Sequence, residues 1–393
     1  MRIIYLLAMI IWCMGIECIA NDSASIGSGS IWEDDNGIHI NAHGGGILFH
    51  KETYYWFGEH KVEGKAGNKA HVGVHVYTSQ NLYNWSDKGI ALRVSDDPES
   101  DIAKGCVLER PKVIYNAKTK KFVMWFHLEL KGNVYKSARS GIATADKATG
   151  PYTFIRSIRP NAKHWPKNVK PEHKNMASLE RTQKENDQFS GGPTVKHEKF
   201  NILGSHYQNG QMARDMTLFV DDNGKAYHIY SSEHNSTLHI SQLTDDYLDY
   251  TGSYVRVFPF RWMEAPAICK RRGKYYILAS GCTGWSPNAA RSAVADHIFG
   301  PWKELGNPCI GINPINNLGP EKTFGGQSTF ILPVQGKKDA FIAMFDIWCP
   351  GNAIDGRYIW LPMQFTDSGF NILWRDQWQL SFFENNSKLL PLN

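Results

Sequence analysis

The sequence predicts an all-β protein built as a five-bladed β-propeller, and three observations predict it. A hairpin unit recurs five times, a third strand with a repeated exit follows the unit, and no useful length of helical periodicity appears after the first twenty residues. Units of three or four strands repeating every few tens of residues are the pattern of a propeller.

The elements follow in chain order. Residues 1–20, "MRIIYLLAMIIWCMGIECIA", carry one early Arg, an apolar stretch too short for a membrane span and a small-residue ending. They read as a cleaved secretory signal, so the chain is expected to be exported to the periplasm or the exterior. A lipid anchor at Cys18 is weakened by Glu17 just before it. Residues 21–393 read as one propeller, with no later stretch apolar enough to span a bilayer.

The first hairpin is "NAHGGGILFHKETYYWFGE" from Asn41, and the second is "ERPKVIYNAKTKKFVMWFHLE" from Glu109. The third is "RDMTLFVDDNGKAYHIYSSE" from Arg214, the fourth "EAPAICKRRGKYYILASG" from Glu264, and the fifth "GQSTFILPVQGKKDAFIAMFD" from Gly326. Each opens on polar residues, runs into an alternating apolar strand, turns, and returns rich in aromatics. The exits at Trp85, Tyr152, Tyr250 and Trp302 recur and are assigned to packing between blades. The stretch 155–212 is rich in Lys, His, Pro and Asn and lacks periodicity. It reads as an inserted loop of blade 2 and a candidate wall of the site.

The basic residues are interleaved with 38 acidic ones at a net charge of +5, which argues against nucleic acid as partner. Of the seven cysteines, Cys106, Cys269, Cys282, Cys309 and Cys349 remain after cleavage. An odd number without CxxC spacing predicts buried free thiols with at most one or two bridges, and no zinc site.

In a propeller the innermost strand of each blade runs along the axis, so the polar residues opening these strands converge. They are His43, Glu109, Asp215, Glu264 and Gln327, and the second-strand ends add Glu59, Glu233 and Asp346 at a neighbouring level. Glycines 44–46 let the backbone pass close to the axis. Carboxylates with few cationic partners favour acid/base chemistry on a neutral substrate or a bound cation, such as a structural calcium in the channel. The 13 Trp, 17 Tyr and 19 Phe and the export signal fit a hydroxyl-rich oligo- or polysaccharide.

The segments "INAHGGGILFH" with "YYWFGE", "ERPKVIYN", "ARDMTLFVDD", "MEAPAI", "SGCTGWSPNAARSA" and "GGQSTFILP" resemble glycoside hydrolase family 43, nearest to its exo-β-1,3-galactanase branch. The resemblance implies an inverting hydrolase that releases terminal galactose from β-1,3-linked galactan and requires no cofactor or catalytic metal. By that resemblance Glu264 is the general acid, and Glu109 tunes it and positions the sugar. Gln327 orients the attacking water. The wider family opens blade 1 with an aspartate base, where this chain has His43. Thr283, Trp285 and Asn288 are expected to line the terminal subsite, and His43, Glu59, Tyr135, Asp215 and Glu233 to contact the sugar. Two other readings stay open: an arabinofuranosidase or xylosidase of the same fold, and a non-catalytic glycan-binding propeller.

Overall fold

The computed structural model describes residues 24–65, 67–171, 174 and 202–384, and nearly all regular structure there is strand. The expected signal segment lies outside these residues. Blade 1 comprises His43–His50, Thr53–His60, Gly73–Ser79 and Ser86–Arg93. Blade 2 comprises Val107–Asn116, Lys121–Glu129, Arg139–Ala145 and Thr153–Ile158. Blade 3 follows with Met216–Val220, Ala226–Ser232, Thr237–Leu243 and Tyr250–Val257, and blade 4 with Met263–Arg271, Lys274–Gly281, Arg291–Ala295 and Trp302–Gly306. Blade 5 holds Gln327–Pro333, Phe341–Ile347, Arg357–Phe365 and Phe370–Leu373, and Cys309–Ile310 joins its outer edge in parallel. Otherwise successive strands of a blade pair antiparallel.

The first strands of the five blades touch one another in a closed cycle, which makes them the wall of the axis. Each blade is apolar on both faces, so its side chains can be buried only against the next blade. Five apolar clusters fill the five junctions. Phe57 and Val76 meet Phe126 and Tyr152 between blades 1 and 2, and Trp125 meets Tyr230 between blades 2 and 3. Ile240 and Ile277 join blades 3 and 4, and Leu278 and Phe345 join blades 4 and 5. Trp56 and Trp85 pack on Tyr358 and Trp360 to close the ring. Each fully buried side chain of this size contributes roughly 2–3 kcal/mol, so every junction is strongly held. The blade exits Trp85, Tyr152, Tyr250 and Trp302 all belong to or border these clusters. Near the closing junction a short strand, Ile26–Gly27, pairs with Gln377–Trp378 and fastens the two ends of the described chain together.

Four of the five inner strands carry a bulge near their opening residue, between His43 and Gly46, Glu109 and Lys112, Glu264 and Ala267, and Ser328 and Phe330. Gly44, Arg110 and Ala265 take positive φ there, at 65°, 56° and 50°. The glycine run of blade 1 has a steric reason too. A Cβ on Gly45 would sit 1.8 Å from the Phe57 carbonyl oxygen.

Two expectations change. The inserted segment begins after Ile158, because Thr153–Ile158 is the outer strand of blade 2. Among the described residues none between 155 and 212 lines the central cavity. Instead Asn161 donates to Tyr230 and Ser241, which docks this segment on blade 3. Cys106, Cys269, Cys282, Cys309 and Cys349 are all free thiols. Among the described residues no helix is long and apolar enough to cross a membrane.

Candidate active site

A cavity of about 290 Å³ opens at the end of the axis where the inner strands begin. Its wall includes His43, Glu109, Asp215, Glu264 and Gln327, so one opening residue from every blade reaches it. Glu59, Tyr135, Trp285, Asn288 and Asp346 line it as well.

Glu264 keeps one side open to the cavity and is otherwise enclosed by protein. Asn235 Nδ2 donates to its Oε1 at 2.6 Å. Enclosure pushes its pKa up to about 8, with the negative charge of Asp215 adding to the rise and Arg110 and Arg214 opposing it. Glu264 is therefore protonated at neutral pH, which is the state an acid needs before it can donate.

Glu109 is occupied differently. Asn68 and the Tyr135 hydroxyl, the latter at 2.7 Å, donate to its Oε1, and Oε2 meets His127 Nδ1 at 2.7 Å. The other nitrogen of His127 meets Glu129 at 3.0 Å. Burial alone would lower the His127 pKa, but hydrogen bonds to both glutamates raise it to about 10. The carboxylate that acts most on Glu264 is thus Asp215, while Glu109 anchors Asn68 and Tyr135.

Arg110, which the sequence reading passed over, occupies the middle of the ring. Its Nη2 donates to Asp215 Oδ2 at 3.0 Å and to Gln327 Oε1, and its Nη1 donates to the Ser328 carbonyl at 3.1 Å. Gln327 Nε2 donates to Ser280 Oγ at 2.9 Å. Lys112 is buried between the inner strands of blades 1 and 2, with Nζ on the Gly44 carbonyl at 2.9 Å. Arg214 also lines the cavity. The expectation of few cationic partners is therefore corrected: Arg110, Arg214, Lys112 and Lys61 sit among the carboxylates.

That charge balance bears on a bound cation. Glu109, His127 and Asp215 place ligand atoms within 4.8 Å of one another. Both nitrogens of His127 face carboxylates, Glu109 on one side and Glu129 on the other.

His43 is held neutral, its pKa pushed well below the ordinary value by burial and then by Lys61 and Arg110. Its Nδ1 lies 3.8 Å from Asp346 Oδ2. Asp346 accepts the Gly44 amide, and burial lifts its pKa to about 7, aided by Glu59 and opposed by the Gly44 hydrogen bond, Arg110 and Lys112. Glu59 lines the cavity but is committed to Lys61 at 2.5 Å and to the Arg110 amide at 3.0 Å.

At the mouth, the half-exposed Trp285 stacks on Trp348 with centroids 4.8 Å apart at 26°, and Lys61 Nζ lies 5.0 Å from the Trp348 ring. Trp348 was not anticipated. It follows the second strand of blade 5 in a loop whose sequence, "WCPGN", reads only as a turn.

Two predicted contacts need correction. Glu233 does not line the cavity. The second strand of blade 3 ends at Ser232, Glu233 takes a φ of 51°, and its oxygens are consumed by Arg256 and His239 at 2.7 Å. Thr283 also lies off the wall, with its hydroxyl donating to the Ser286 carbonyl and accepting from Asn288. Asn288 is on the wall, but its amide is spent on Gly281 and Thr283. These two residues shape the loop that carries Trp285.

Comparison with known proteins places this arrangement. The family described as Glycosyl hydrolases family 43 matches residues 190–330. A solved family-43 β-1,3-galactosidase bound to galactodeoxynojirimycin is 50% identical, with a TM-score of 0.83 over 90% of this chain and 100% of that one. An exo-β-1,3-galactanase from Clostridium thermocellum is 33% identical, with a TM-score of 0.70 over 90% of this chain and 66% of its own. The corresponding values for one from Phanerochaete chrysosporium with galactose are 30%, 0.70, 91% and 68%. Among curated proteins, a β-D-galactofuranosidase of Aspergillus niger is 26% identical over 140 residues, which span 40% of its length. A five-bladed propeller whose axis ends in an enclosed glutamate, matched along its length by a relative of half-identical sequence, has one family reading: the chain belongs to glycosyl hydrolase family 43 and is a glycoside hydrolase.

Proposed function

We propose that the protein removes single galactose units from the ends of β-1,3-linked galactan, with inversion at the anomeric carbon. The observation that carries this reading is the enclosed Glu264 lining one cavity with Gln327, whose amide is gripped from both sides. Glu264 delivers its proton to the departing glycosidic oxygen while Gln327 holds the water that attacks the opposite face of the sugar. Burial, with the Asp215 charge adding to it, favours the protonated form of Glu264. His43, Tyr135, Asn68 and Asp215 meet the hydroxyl groups, and a site built around hydroxyls of one configuration rejects the epimer because its own polar groups would be left unpaired. The similarity to galactosidases and exo-galactanases supports the same substrate. The expected signal segment supports action outside the cytoplasm.

The test is incubation of the purified protein with β-1,3-galactobiose, an arabinofuranoside and a xyloside, followed by analysis of the released sugar. Galactose release that Glu264→Gln removes supports the reading. Pentose release, or binding with no release, overturns it.

A further inference from the structure

An amide is a poor base, so the water held by Gln327 needs another group to take its proton. We propose that Asp346 is that group, and that Gln327 positions the water without deprotonating it. The proposal rests on the hydrolytic reading above and adds to it a residue with its own test.

The first argument is the orientation of Gln327. Arg110 can only donate, so the atom facing it must be the amide oxygen, and the nitrogen then donates to Ser280 Oγ. The guanidinium binds an amide carbonyl, a stronger acceptor than the hydroxyl of the basic tautomer, and so favours the ordinary amide form, which has no basic nitrogen.

The second argument is position. Gln327 and Asp346 are directly opposed across the first two strands of blade 5, and both line the cavity. Opposed residues of this kind have Cβ atoms about 5 Å apart, within reach of one shared water. Around the wall the order runs from Glu264 to its cross-strand partner Ser280, then to Gln327, then to Asp346. Ser280 and Gln327 thus stand between Asp346 and the acid along the wall, and an inverting site needs room for a water between acid and base.

The third argument is elimination. Glu109 is saturated by Asn68, Tyr135 and His127, Glu59 by Lys61 and the Arg110 amide, and Asp215 is paired with Arg110. Asp346 gives one oxygen to the Gly44 amide, and among the described residues nothing hydrogen-bonds the other. The charged and titratable groups facing it are His43 and Glu59 from blade 1, Arg110 and Lys112 from blade 2, and Tyr358 of its own blade. Burial raises its pKa to about 7, with Glu59 adding and the Gly44 amide, Arg110 and Lys112 opposing, which suits a base working at neutral pH.

The step balances. The water oxygen bonds to the anomeric carbon and its proton passes to the Asp346 carboxylate. The carbon–oxygen glycosidic bond breaks, its electron pair stays on the leaving oxygen, and that oxygen takes the proton of Glu264. Exchange with solvent then restores both carboxyl groups.

The experiment compares wild type, Asp346→Asn and Asp346→Ala on β-1,3-galactobiose, with kcat, KM, pH profile and sodium azide rescue as readouts. In Asp346→Asn, kcat is expected to fall about 10²–10⁴-fold with KM nearly unchanged, and the acidic limb of the pH profile disappears. In Asp346→Ala, azide restores turnover and yields galactosyl azide of α configuration, since the anion takes the place of the water. Asp346→Asn within tenfold of wild-type kcat overturns the proposal, as does loss without azide rescue, or a β-configured azide. If neither variant folds, ¹³C titration of Asp346 in wild type decides: a midpoint matching the acidic limb supports the role, and ionisation complete below pH 5 overturns it. A wild type that cleaves only another glycoside removes the galactan reading, and the variants are then scored on that glycoside. A wild type inert on every glycoside overturns both.

Discussion

Arg110 and Gln327 face each other across the axis, one from blade 2 and one from blade 5, with the guanidinium donating to the amide oxygen. The same guanidinium holds Asp215 and the Ser328 carbonyl. Lysine offers a single point of charge and cannot serve three acceptors in one plane. Arg110→Lys is expected to lower kcat by at least tenfold. Arg110→Met strands the Asp215 charge and should cost about 3 kcal/mol in denaturant titrations.

Glu264 is expected to supply the alkaline limb of the pH profile. Its pKa is raised to about 8, so the donating form is complete well below that pH and is lost as pH rises through it. In Glu264→Gln the alkaline limb should vanish and kcat on β-1,3-galactobiose fall about 10²–10⁴-fold. An aryl galactoside, whose leaving group needs little protonation, should lose far less. Equal losses on both substrates would remove Glu264 from the acid role.

The tryptophan pair at the mouth makes a separable prediction. Trp348→Ala removes the ring that His43 and Lys61 approach and on which Trp285 leans. Loss of one aromatic contact worth about 1 kcal/mol should raise KM roughly fivefold and leave kcat little changed, as steady-state kinetics would read.

Gly45 tests the inner strand itself. Its substitution by alanine drives a methyl group into the Phe57 carbonyl, so the folded state should lose at least about 3 kcal/mol. Gly64 is the control, with positive φ but nothing near it. There alanine should cost only about 1 kcal/mol. Thermal melts of the two variants separate the effects.

The propeller and the blade openings were legible because they rest on repetition. A polar residue that begins an apolar strand must sit at its end, and five such ends in register define a mouth. Arg110 was hidden by the same logic. Strict alternation sends it to the opposite face from Glu109, and only the bulge with its positive φ lets both reach the cavity. A signal did exist: Glu109-Arg110-Pro111 parallels Glu264-Ala265-Pro266, and proline inside an inner strand is tolerated at a bulge. Glu233 misled because in the sequence it closes the third hairpin as Glu59 closes the first, while the strand stops at Ser232 and the Arg256 and His239 that claim Glu233 lie further along the chain. Trp348 had no pattern to reveal it, since its placement comes from the stacking of two loops on different blades.

The fastening of Ile26–Gly27 to Gln377–Trp378 also sets an order of events during synthesis. Trp56 and Trp85 belong to the first blade, yet Tyr358 and Trp360, which cover them, come from the fifth and are made long after them. Until then one flank of the first blade is an oily surface without its cover, a condition that invites association between nascent chains. The enzyme becomes a ring only when its fifth blade arrives to shield its first.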